Sequence, residues 1–152
     1  MNQNPMQPPA KQPLGFWTAR AGEAIGQHTR AALAEIGLSQ PEWWVLHQLS
    51  LYPKGLDRST MIETIGPNMG SDIETGYIET AIATVASKRW LTESESTLRL
   101  TPNGKVQFRR GADVQRALAD QRMQGITDAE FATTITVLQR TIANVGGEAW
   151  HW

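Results

Sequence analysis

The sequence predicts a mostly α-helical (α+β) fold with one small β-hairpin. Three observations predict it. Apolar residues recur at alternating three- and four-residue steps along most of the chain. Three capping boxes, Ser39/Glu42, Ser71/Glu74 and Thr127/Glu130, mark helix starts. Only Trp90-Leu91-Thr92 and Leu98-Arg99-Leu100 read as short strands, and they stand close enough to form one hairpin.

The elements follow in order. Residues 1–13 read as a disordered arm, because Pro5, Pro8, Pro9 and Pro13 oppose a helix and few apolar groups are present to bury. Leu14, Trp17, Ala21, Ala24, His28 and Ala31 then form one stripe of a first helix, 14–36. Gly22, Gly26 and the alanines make it slim enough for another helix to approach closely, and Gly37 suits the position just past its end. The second helix starts at the Ser39 cap, with Leu38 placed to close on Trp43, and continues its apolar face through Leu46 and Leu49. Tyr52-Pro53-Lys54-Gly55 is a turn, and Asp57 caps a short third helix whose Met61 and Ile65 point inward. Gly66, Pro67, Gly70 and Gly76 mark a loop, and a fourth helix follows with Ile78, Ile82 and Val85 on its inner face, running to about Arg89. After the hairpin, Thr101-Pro102 supplies a cap and a first-turn proline for a long polar helix that Gly125 ends. The last helix has the cleanest period, Phe131, Ile135, Leu138, Ile142 and Val145, and Gly146-Gly147 stops it.

Composition narrows the function. The 152 residues carry 14 Lys+Arg against 15 Asp+Glu, a net charge of -1, which excludes a protein that coats nucleic acid by bulk charge. Basic residues do cluster once: Arg99, Lys105, Arg109 and Arg110 occur with no acid among residues 99–110. The chain has no cysteine, so disulfides, thiolate metal sites and cysteine chemistry are excluded. There is no phosphate loop, no nucleophile elbow and no histidine pair at metal-ligand spacing, so the expectation is a protein that is not an enzyme, with no metal and no cofactor. No apolar run approaches the ~18 residues of a membrane span, and the polar N-terminus lacks a signal-peptide core; a cytoplasmic location is expected.

A helix–turn–helix followed by a two-stranded hairpin is the winged-helix order. The division expected is a winged lobe, 37–101, between terminal segments 14–36 and 102–152 whose apolar seams call for a second copy of the chain. With these elements in place, the sequence resembles the MarR-type transcriptional regulators over roughly residues 14–146. The resemblance rests on Gly37-Leu38-Ser39 with Trp43, Leu46 and Leu49; on Gly55-Leu56-Asp57; on Ile78, Ile82, Val85, Trp90 and Leu91; on Leu100-Thr101-Pro102-Asn103-Gly104-Lys105; and on Ile126-Thr127-Asp128-Ala129-Glu130.

The resemblance implies a homodimer that binds a pseudo-palindromic operator in double-stranded DNA, acts as a repressor, and is released by a small aromatic or anionic effector. It implies DNA contacts from Arg58, Ser71, Thr75, Tyr77, Thr80, Thr84, Lys88, Arg89 and Arg99, and an effector pocket drawing on Trp17, Arg20, His28, Trp43, Trp44 and His47. A second reading stays open. Glu79 lies on the outward face of the fourth helix, and the hairpin carries Glu93 and Glu95 with no arginine at its tip. A winged-helix module that binds protein or ligand, with weak or lost DNA binding, would also carry those residues.

Overall fold

A computed structural model describes residues 5–66 and 76–150. Helix α1 spans Leu14–Ala34, α2 Gln40–Leu51, α3 Arg58–Ile65, α4 Tyr77–Ser87, α5 Pro102–Arg122 and α6 Asp128–Asn144. Strands β1 (Leu56–Asp57), β2 (Leu91–Ser94) and β3 (Thr97–Leu100) form one antiparallel sheet in the order β1-β3-β2. Ser71, Thr75 and the Ser71/Glu74 cap lie outside the described residues, as do Met1–Asn4, His151 and Trp152.

The local signals act as expected. Ser39 and Glu42 close a reciprocal capping box at the start of α2, and Thr127 and Glu130 close another at α6. Helix α1 ends in a Schellman motif: Gly37, at φ +74°, donates to the Ala34 carbonyl, and Leu38 donates to that of Leu33. Leu33 and Leu38 are both buried, the apolar contact that accompanies this motif. Helix α4 ends in the same way two residues earlier than expected, because Arg89 takes the left-handed position (φ 60°) while Trp90 donates to the Val85 carbonyl.

Two further features differ from expectation. In the arm expected to be disordered, Pro9–Lys11 forms one 3-10 turn, which a proline can start because its missing N–H would have no partner there. Leu56-Asp57 is a third strand as well as a cap. Leu56 pairs with Leu98 and Asp57 with Thr97, and the Arg58 amide donates to the Ser96 carbonyl. The hairpin itself turns through Glu95 and Ser96, both at positive φ, the geometry of a two-residue type I′ turn.

The core is contributed by residues from Leu33 to Leu98 and draws on α1 only at its C-terminal end. Leu46, Leu49, Met61, Ile82, Val85 and Leu98 are its nearly inaccessible centre. Helix α5 is joined firmly to this head. The Thr101 amide donates to the Trp90 carbonyl and its hydroxyl to that of Arg89, while the buried Gln107 side chain donates to the Ile36 carbonyl. At Gly104 a β-carbon would drive into the Trp90 carbonyl oxygen, and at Gly111 it would meet the Trp43 ring at 2.5 Å. These glycines let α5 lie directly on the head. Helix α6, by contrast, buries no residue in its own chain.

Candidate nucleic-acid interface

Helix α4 buries Ile78, Ala81, Ile82 and Val85 in the core, which turns the opposite face outward. Tyr77, Thr80 and Ala83 are exposed there, with Thr84 and Glu79 half-buried. The threonine hydroxyls are not idle: Thr80 donates to the Gly76 carbonyl at 3.0 Å and Thr84 to that of Thr80 at 2.9 Å. Each hydroxyl has one hydrogen, so in this arrangement both can accept from an approaching amino group.

The cations behave differently from one another. Arg58, at the first turn of α3, grips Glu93 on β2 through two hydrogen bonds, 2.8 and 2.6 Å long, with both side chains about one-third exposed. That bidentate contact holds the Glu93 carboxyl below its usual range and raises the Arg58 guanidinium further, with a lesser contribution to the latter from Glu79. Lys88 is built into the fold. Its ammonium lies 2.8 and 2.9 Å from the two oxygens of the buried Glu42, donates to the Gly37 carbonyl, and sits 4.8 Å from the centre of the Trp90 ring. It ties the end of α4 to the start of α2. Arg99 spends its Nε–H on the Lys54 carbonyl. Arg89 is exposed.

The six effector candidates do not converge within one chain. Trp17 and Arg20 lie beside Phe16 on α1, with Arg20 over the Phe16 ring at 5.4 Å, and line a surface cavity of about 430 Å³. His28 is exposed elsewhere on α1. Trp43 is stacked flat on Phe108, 5.6 Å between centres and 3° between planes, and His47 leans on the same pair. Burial holds His47 below its usual pKa, so the neutral ring is favoured. Trp44 lies apart from these, in a cavity of about 590 Å³ with Arg30, Tyr77 and Lys88.

Phe108, Glu42 and Glu93 were not among the sequence candidates, yet each decides where a candidate side chain goes. Phe108 is the only aromatic residue of α5, a signal the sequence offered. Pairing of Glu93 with Arg58 is a contact across 35 positions, which no local pattern encodes. Among the described residues no group of three or more His, Asp or Glu side chains is placed to hold a metal ion, and no helix is long and apolar enough to cross a membrane.

No protein-family model matches the sequence, and no curated protein matches it. Solved structures do. The Mycobacterium tuberculosis MarR family protein Rv2887 in complex with DNA aligns with a TM-score of 0.67 at 21% identity, over 90% of this chain and 100% of that one. The same protein aligns in complex with salicylic acid, with a TM-score of 0.61 at 22% identity, over 85% and 98% of the two chains. The transcriptional repressor CouR bound to p-coumaroyl-CoA gives 0.69 at 19% identity, over 86% and 91%.

Proposed function

From the MarR-type winged-helix fold that this chain shares with those regulators, we propose that it is a homodimeric, DNA-binding transcriptional repressor released by a small-molecule effector. The observation that carries this reading is the extent of the likeness. It runs over the whole of a chain solved with DNA, terminal helices as well as head. Helices α1 and α6 carry the means of pairing, since Leu14, Phe16, Trp17, Phe131, Ile135 and Ile142 are large apolar residues that one chain leaves 40% or more exposed. Two heads held side by side would set two α4 helices into major grooves about one helical turn apart. Arg89 and Arg99, with Arg58 once it exchanges Glu93 for a phosphate, supply the cations. Tyr77, Thr80 and Thr84 face the bases. An effector shifts the spacing of the heads by binding one arrangement better than the other.

The test is retention of genomic DNA fragments by the purified protein across a salt series. Affinity is expected to fall steeply as salt rises, with the slope set by the phosphates neutralised. No retained fragment, or a salt-insensitive one, contradicts the proposal.

One observation favours a second reading, a winged-helix module that binds protein or ligand. Arg58 and Lys88 are both neutralised by internal carboxylates, which leaves the face of α4 poor in free positive charge.

A further inference from the structure

The outward face of α4 is short of hydrogen-bond donors as well as of free cations. Thr80 donates to the Gly76 carbonyl, Thr84 to that of Thr80 and Ser87 to that of Thr84, at 3.0, 2.9 and 2.7 Å. These hydroxyl hydrogens are turned back on the helix, so the oxygens present lone pairs. Glu79 makes no hydrogen bond or ion pair with any described residue, and an ionised carboxylate only accepts. Among the described residues of this face, Tyr77 alone keeps a hydroxyl hydrogen to give. We propose that α4 reads DNA through the exocyclic amino groups of the bases, with Glu79 accepting from the N4 of one cytosine in each half-site, so that methylation of that amino group closes the site to the protein. This inference deepens the DNA-binding reading and rests on it.

Donor and acceptor matching comes first. In the major groove guanine offers only the acceptors N7 and O6, and thymine an acceptor and a methyl group; cytosine N4 and adenine N6 are the donors. A face of acceptors is therefore repelled by guanine and finds partners in cytosine and adenine. Threonine oxygens accept from either base. The carboxylate separates them, because adenine sets its N7 acceptor beside N6 while cytosine sets only a C5–H beside N4. Position is the second support. Glu79 lies in the first turn of α4 and Thr80 follows it, and the N-terminal residues of a recognition helix are the ones that reach base edges. Lys88 and Arg89 stand past the last turn, the former held by Glu42, so neither brings a donor to those edges. Charge is the third. Arg58 stands close enough for Glu79 to act on it, and Arg58 on a phosphate offsets the repulsion between that phosphate and the carboxylate. The effect of methylation follows from the base itself. Pairing with guanine takes one N4 hydrogen of cytosine, and the other faces the groove. A methyl group on N4 takes the groove-facing place and removes the donor. A methyl group on C5 leaves it.

The experiment selects bound duplexes from a library with a randomised core, using the full chain and its Glu79→Gln variant. The unmodified chain is expected to enrich a C·G pair at one symmetric position of each half-site. Glutamine pairs with adenine N6 and N7. Glu79→Gln is therefore expected to change that position to an A·T pair and to leave the others as they were, a change that damage to the fold does not produce. The duplex selected by the unmodified chain is then made with N4-methylcytosine or with 5-methylcytosine at that position, a comparison that needs no variant. N4 methylation is expected to weaken retention about tenfold or more, and C5 methylation to leave it within about twofold. Selection of one and the same sequence by both proteins, or equal retention of the N4-methylated and unmethylated duplexes, overturns the proposal. An unmodified chain that selects no sequence fails the regulator reading and takes this inference with it. One that selects a sequence indifferent to Glu79→Gln and to N4 methylation fails this inference alone.

Discussion

Arg89 holds a backbone position that costs any residue with a β-carbon roughly 1–2 kcal/mol and costs glycine little. It terminates α4 at φ 60° and leaves its side chain exposed beside the outward face. Arg89→Gly is therefore expected to raise stability by roughly 1 kcal/mol, read as a higher urea midpoint, while weakening DNA retention. Unchanged retention would remove Arg89 from the interface. Gly104 presents the opposite case. Its hydrogen is the only side chain that fits against the Trp90 carbonyl, so Gly104→Ala forces α5 off the head and is expected to cost about 3 kcal/mol, the upper end for overpacking. A loss within error in urea unfolding would mean that this junction is looser than described. The sequence displayed the Thr-Pro-x-Gly pattern as a helix start, but not this second role of the glycine, because Trp90 touches it through backbone geometry alone.

The hairpin shows where local reading stops. Its two strands were legible from their apolar and β-branched residues, but the observed register pairs Glu93 with Leu98 and Ser94 with Thr97, so the turn is the two residues Glu95-Ser96 and not the whole of Glu93 to Thr97. The third strand was not, since two residues cannot display a period and their pairing is decided by β3, forty positions on. The Arg58–Glu93 contact that pins the hairpin to α3 is equally non-local, and it carries a pH dependence. The folded pKa of Glu93 is depressed below its unfolded value. Its contribution is thus present above the ordinary carboxylate range near ~4.3 and is lost as pH falls through the folded value. Protection of the β2 and β3 amides against exchange, relative to the intrinsic rate at each pH, is expected to fall through that acid window, and Glu93→Gln to abolish that step. A Glu93→Gln protein that keeps the full acid step would place its origin elsewhere. By freeing Arg58, the same substitution is expected to strengthen DNA retention at low salt.

At the scale of the molecule, the head completes its own core and the terminal helices do not. The seam Phe131, Ile135, Leu138, Ile142 was the clearest periodicity in the sequence, and the structure leaves Phe131, Ile135 and Ile142 exposed and Leu138 half-buried along a helix with no buried residue. Helix α1 divides in the same way: Leu33 and Thr29 enter the head, while Leu14 and Trp17 stay open. The fold was legible because the helices carry an apolar period and four of them a side-chain cap, from Ser39, Asp57, Thr101 and Thr127. The site was less so, because Lys88 and Arg58 look alike in sequence and only the folded chain shows that one is tied to Glu42, Gly37 and Trp90 together while the other is held by a single exchangeable carboxylate. Both the proposed DNA binding and the control of head spacing require the open seams to be covered by a second copy. Sedimentation of the full chain tests this most directly, alongside a variant carrying Ile135→Asp and Ile142→Asp. The expected result is a single species of twice the chain mass that the two substitutions convert to folded monomer without DNA retention. A stable monomer of the unmodified chain, or a dimer indifferent to both aspartates, would contradict it.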